Sequence, residues 1–149
     1  MGNRAVIQMQ GQDVGLYLHW NGGLDTVKPL LDVAKEYGIR GDDYGIARLA
    51  QIAGNLLGGH LGLGVSTIDM LDRDNGDNGT YVIDDEFNIV DRLFTRGPEQ
   101  EHWPYEDMCK AIREANDKFF IDEEDEEDEE DEEEIYRNQN IHMLYSKEV

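Results

Sequence analysis

Residues 4–9 (Arg-Ala-Val-Ile-Gln-Met) and 14–20 (Val-Gly-Leu-Tyr-Leu-His-Trp) are two short runs of strand-forming residues around the polar, glycine-containing stretch 10–13. This is the pattern of a β-hairpin. In the second run Leu16, Leu18 and Trp20 alternate with Tyr17 and His19, so one of these sets faces the core. The period then changes. Val27, Leu30, Leu31, Ala34 and Tyr37 recur at helical spacing, with Asp25 as N-cap, Pro29 tolerated near the first turn and Gly38 as the stop. A second helix is predicted over 43–57, where Ile46, Leu49, Ala50, Ala53, Leu56 and Leu57 form the stripe. Asp42 can cap its start and Gly58-Gly59 ends it.

From Leu61 to Met70 the period returns to two, although Gly62 and Gly64 weaken the strand signal. The next stretch, Asp72-Arg73-Asp74-Asn75-Gly76-Asp77-Asn78-Gly79, has two Asn-Gly steps, the chemistry of a tight turn or loop between antiparallel strands. Thr80 to Asp84 and Phe87 to Phe94 form a further hairpin around Asp85-Glu86, so the middle of the chain reads as a β-meander. Pro104 sits where a helix can begin, and Tyr105, Met108, Cys109, Ile112, Ala115 and Phe119 give a third apolar stripe that is expected to fray near Phe120 or Ile121. The order ββααβββα predicts an α+β fold, a mostly antiparallel sheet with helices packed on one face.

Charge divides the chain into three parts: a single α+β domain over 1–121, a polyacidic low-complexity segment over 122–134, and a peptide over 135–149. The net charge of −21 is made of −1 for residues 1–60, −8 for 61–121, −13 for 122–134 and +1 for 135–149. The polyacidic segment is Asp122, Glu123, Glu124, Asp125, Glu126, Glu127, Asp128, Glu129, Glu130, Asp131, Glu132, Glu133 and Glu134, without one cation or apolar residue. Such a run cannot be buried unpaired, so it stays solvated or meets a basic partner. An extended chain advances about 3.3–3.6 Å per residue, and a nucleic-acid strand carries one charge per about 3.4 Å. The run therefore matches a phosphate strand in charge spacing. Ile135, Tyr136, Ile141, Met143, Leu144 and Tyr145 cluster beyond it, and docking of this peptide on the body, as a strand over 140–146, would close the acidic run into a loop.

An acidic excess of this size opposes direct binding to nucleic acid or an anionic membrane and favours a basic protein, including a nucleic-acid-binding enzyme. The residues expected to meet it are the acidic run together with Asp84, Asp85, Glu86, Glu99 and Glu101. Trp103 and Tyr105 beside them can stack on arginine. One cysteine, Cys109, allows no internal disulfide, and its spacing from Met108 and Ile112 fits a core face. There is no basic region followed by an apolar stretch at the start, and nowhere do 18 apolar residues run together, which predicts a soluble protein of the reducing cytoplasm.

No residue pattern demands a catalytic role or a cofactor. His19, Trp20, Asn21, Gly22 and Gly23 form a strand-to-helix turn that can present backbone donors to an anion, with a histidine beside it as acid or base. This supports the alternative of a small-ligand or divalent-cation protein, or an enzyme, with the acidic tail serving only solubility. The glycine spacing fits neither a dinucleotide fingerprint nor a phosphate-binding loop. In loop 72–79 both calcium frames fail: a start at Asp72 puts Asp77 at the required glycine, and a start at Asp74 puts Asp85 where a bidentate glutamate belongs. His19, His60, His102 and His142 lie far apart, so no metal set is expected.

The segments Gly2-Asn3-Arg4-Ala5-Val6, Leu18-His19-Trp20-Asn21-Gly22-Gly23, Tyr44-Gly45-Ile46-Ala47-Arg48-Leu49 and Asp74-Asn75-Gly76-Asp77-Asn78-Gly79-Thr80-Tyr81 resemble those of a group of small bacterial proteins of phages, prophages and other mobile elements. The resemblance covers about residues 1–95 and carries no catalytic residue across. The polyacidic run departs from that group's pattern. What the resemblance implies is genomic setting, an accessory gene of a mobile element rather than central metabolism.

Overall fold

A computed structural model describes residues 3–120. The expected polyacidic segment and the peptide after it lie outside the described residues. Residues 3–118 form the first of two compact units. Within the first unit the order is β1 (Ala5–Met9), β2 (Val14–Leu18), α1 (Leu24–Tyr37), α2 (Asp43–Leu57), β3 (Leu63–Thr67), β4 (Thr80–Ile83), β5 (Ile89–Leu93) and α3 (Tyr105–Asn116). The fold is α+β with a five-stranded, mostly antiparallel sheet.

The sheet order is β3-β2-β1-β4-β5. β1 pairs antiparallel with β2 and parallel with β4, so the first strand is the centre of the sheet. Parallel pairing of β1 and β4 overturns the meander expected for the middle of the chain. The chain leaves β3 at one edge and re-enters beyond β1, and Asn75-Gly76 and Asn78-Gly79 serve a crossover rather than a hairpin. The expected strand 61–70 is accordingly shorter: it stops at Thr67, and Ile68–Met70 turn into one 3₁₀ turn that starts the crossover.

Pairing register separates the two faces. Ala5, Ile7, Leu16, Leu18 and Tyr81 share one face, where they are buried under the helices. A Cβ at Gly54 of α2 would lie 3.6 Å from Leu63 of this face. Val6, Thr80 and Val82 are buried on the other face, where Ile68 and Leu71 of the crossover cover Gly15 so closely that a Cβ there would lie 2.7 Å from Ile68 Cδ1. Helices on one face and the crossover strap on the other explain why β1 and β4 are buried almost throughout rather than at alternate positions.

The strap is a polar knot tied to the first strand. Asn75 Oδ1 accepts from the Asp77 and Gly79 backbone N–H groups, and its Nδ2 donates to the Asp72 and Gly79 carbonyls. Asn78 Nδ2 donates to Asn3 Oδ1 and the Arg4 carbonyl, both at about 3 Å. These bonds satisfy two buried asparagines whose amides would otherwise cost more than they contribute.

Helix α2 is capped as its sequence requires, by Asp42 accepting from Tyr44 and Gly45 N–H. Helix α1 is not. Its N-cap is Gly23, without a side-chain cap, which leaves the Asp25 carboxylate inside the first turn and puts Pro29 a turn and a half into the helix. Helix α3 ends at Asn116 and tightens into a 3₁₀ turn over Asp117–Phe119, so the helical run closes next to the fraying point expected near 120. Asn116 is fully buried, donates to the Ile52 and Ile112 carbonyls and accepts from Asn55 Nδ2, a polar tie between α2 and α3.

Candidate functional site

After β5 the chain crosses the N-terminal end of α1 before entering α3, and four interactions fix that crossing. Asp25 Oδ2 accepts from the backbone N–H groups of His102 and Trp103, at 2.8 and 3.1 Å. Arg92 pairs with Glu99 while its guanidinium lies 4.0 Å over the Tyr81 ring. Tyr105 donates its hydroxyl proton to Asp32 at 2.6 Å, and Arg113 of α3 makes a two-pronged pair with Glu36 of α1. The result is an open cleft of about 670 Å³ between the first turns of α1 and the 99–105 segment.

Leu24, Pro29 and Pro104 give the cleft its apolar surface, Trp103 and Tyr105 stand on its wall, and Asp25, Glu99 and Glu101 place carboxylates around it. Trp103 is 53% exposed and Tyr105 45%, so neither side chain is enclosed by the fold. Lys28, the cation at this site, is engaged by Asp32 at 2.8 Å. Burial pushes the Asp32 carboxyl up, but hydrogen bonds from Lys28 and Tyr105 and the charges of Lys28 and Lys35 outweigh it and hold the group below the ordinary carboxylate range. The same bond to Asp32, then burial and Cys109, raise the Tyr105 phenol. Cys109 is buried, and burial pushes its thiol up, away from the reactive thiolate.

The expected partner-binding residues fall in two places. Glu99, Glu101, Trp103 and Tyr105 converge on the cleft. Asp84, Asp85 and Glu86 lie in the β4–β5 turn, where Asp84 is occupied by the turn itself: its carboxylate accepts from the Glu86 and Asn88 N–H groups and from Asn88 Nδ2. Bonding to the Asn88 N–H is the main reason its carboxyl lies below the ordinary range. Asp85 packs against the α1–α2 connection, its Cβ only 2.4 Å from where a Gly41 Cβ would be. The acidic residues 122–134 lie outside the described residues.

The expected ligand turn is tightly built into the fold. Gly22 donates its N–H to the Asn3 carbonyl and accepts at its own carbonyl from the buried Tyr81 hydroxyl, at 2.8 and 2.7 Å. A Cβ at Gly22 would approach Asn3 O to 2.5 Å, so this glycine serves close packing on β1. Asn21 takes the left-handed conformation at φ 58°. The carboxylate of Asp25 stands next to Gly23, so negative charge faces an anion approaching this helix end. His19 instead joins an exposed ring cluster, with Nδ1 2.8 Å from the Tyr17 hydroxyl and its ring edge-on to Trp20.

Asp25, Lys28, Pro29 and Asp32 escaped the sequence reading of the site. The i, i+4 pair Lys28–Asp32 was visible as a helix-surface ion pair, but nothing in its spacing reports that Tyr105 reaches the same carboxylate from 73 positions away. Among the described residues no three His, Cys, Asp or Glu side chains gather in a way that could hold a metal ion, and no helix is long and apolar enough to cross a membrane. No family model matches the chain, and neither a curated protein nor a solved structure matches it.

Proposed function

We propose that the chain is a non-enzymatic acidic binding protein of a mobile element whose partner is a basic cytoplasmic protein, met at the surface that partner uses for nucleic acid. One observation carries the reading: four residues singled out by their chemistry, Glu99, Glu101, Trp103 and Tyr105, line one preformed cleft with an apolar floor. Thirteen consecutive carboxylates and a net charge of −21 supply the long-range attraction. Carboxylates pairing with groove lysines and arginines release the counterions held there and exclude phosphate, while the cleft adds short-range contacts that charge alone does not provide. A defence nuclease, whether restriction or RNA-guided, has the kind of cationic groove this chemistry fits.

The test is co-purification from the host followed by direct titration of the identified partner, with and without residues 122–134, over a range of salt. Affinity that falls with salt and drops on deletion is expected, together with displacement of nucleic acid from the partner. A partner bound equally tightly at low and high salt by both chains would refute the reading.

A further inference from the structure

Most of the carboxylates at the cleft are already spoken for. Asp25 Oδ2 holds two backbone N–H groups, Glu99 is paired with Arg92, and Asp32 behind the wall holds Lys28 and Tyr105. Glu101 has no partner among the described residues, and it lines the same cleft as the half-exposed Trp103 and Tyr105. An apolar guest would desolvate that carboxylate without compensation, and an anion would be repelled by it. A cation with a flat, weakly hydrated face satisfies both kinds of surface at once.

We infer that this cleft receives an arginine side chain of the basic partner, its guanidinium paired with Glu101 and stacked on the aromatic wall. The inference rests on the basic-partner reading and adds which cation is recognised and where. Arginine is favoured over lysine because guanidinium is planar, stacks on indole and phenol faces, and surrenders water more readily than the compact ammonium. The site is set before binding, since Asp25 fixes the backbone at His102 and Trp103 and Asp32 fixes Tyr105, so little ordering cost falls on the complex.

The experiment uses the full chain with Trp20→Phe, which leaves Trp103 as the sole indole. Two fifteen-residue probe peptides of equal charge, one with arginine as its only cation and one with lysine, are titrated against it while Trp103 emission is followed. The arginine peptide is expected to change the emission saturably and to bind several-fold tighter than the lysine peptide. Glu101→Gln should erase most of that preference, weakening the arginine peptide about fivefold, as expected for an exposed ion pair. Trp103→Leu, followed by calorimetry, should do the same. Equal affinity for both peptides with no change at Trp103 would overturn the arginine assignment and leave the basic-partner reading standing. Absence of binding by both peptides at low salt would overturn the arginine assignment and the basic-partner reading together.

Discussion

Arg4 at the start of the central strand donates to the Asp77 carboxylate at 2.7 Å, joining the first strand to a crossover 73 positions later. Asp77 also accepts from the Arg4 backbone N–H, so one carboxylate orients both the strand's first turn of chain and its side chain. Burial pushes the Asp77 carboxyl up, but the two hydrogen bonds and the charge of Arg4 prevail and hold it below the ordinary range. A carboxylate depressed in the folded state contributes its full stability above its unfolded value, about 3.9, and loses it as pH falls through the lower folded value. Urea unfolding should therefore show stability falling below about pH 4. Asp77→Asn should lower stability at neutral pH and flatten that acid dependence; an unchanged acid profile in the variant would contradict the role given to this pair.

Tyr81 tests the junction between sheet and helix α1. Its ring is fully buried and its hydroxyl donates to the Gly22 carbonyl at 2.7 Å. Tyr81→Phe keeps the packing and leaves that carbonyl unpaired, at a cost of about 1–2 kcal/mol, or roughly 4–10 °C in the melting temperature of a body this size. Thermal unfolding followed by circular dichroism reads the shift, and no shift would mean that the carbonyl finds another donor.

Gly45 tests the turn between α1 and α2. A Cβ there would lie 1.8 Å from the Arg40 carbonyl oxygen, a backbone atom with no freedom to withdraw. Alanine is normally better than glycine inside a helix by about 1 kcal/mol. Here Gly45→Ala should instead destabilise by about 2–4 kcal/mol, because the α1–α2 connection must move. Denaturant unfolding gives the sign directly.

Asp25 tests the cleft. Asp25→Ala removes the acceptor that holds the His102 and Trp103 N–H groups. Hydrogen exchange at those two amides should accelerate by about tenfold or more, while exchange in β1 and β4 stays unchanged. Binding of the arginine peptide should weaken in parallel, since a loosened wall must be ordered at each binding event.

Which parts of this fold and site were legible follows from the range over which each signal acts. Asp42, Gly38 and Gly58 act on their nearest neighbours: Asp42 starts α2, and Gly38 and Gly58 end α1 and α2, where local capping chemistry places them. The switch from period two to period 3.6 and back likewise locates strands and helices. Asn75-Gly76 and Asn78-Gly79 specify a reversal of the chain but not whether the strands on either side pair, and the parallel contact of Val6 to Met9 with Thr80 to Ile83 is a relation across more than seventy residues. Asp25 looked like a cap because its helix-start position is right. Gly23 takes that position, and the carboxylate turns to a loop that sequence spacing cannot bring near. Of the cleft, the acids and aromatic residues at 99–105 were legible by composition; the α1 half was not, because it is made by tertiary packing.

The central claim is that negative charge on this chain was placed to meet positive charge on another protein. It is tested most directly by the salt dependence of affinity for the captured partner, measured by calorimetry for the natural chain and for one with Glu101 and residues 122–134 converted to amides. The account predicts that log affinity of the natural chain falls linearly with log salt, and that the amide chain loses both that slope and most of the low-salt affinity. Equal affinity and equal slope for the two chains would contradict it.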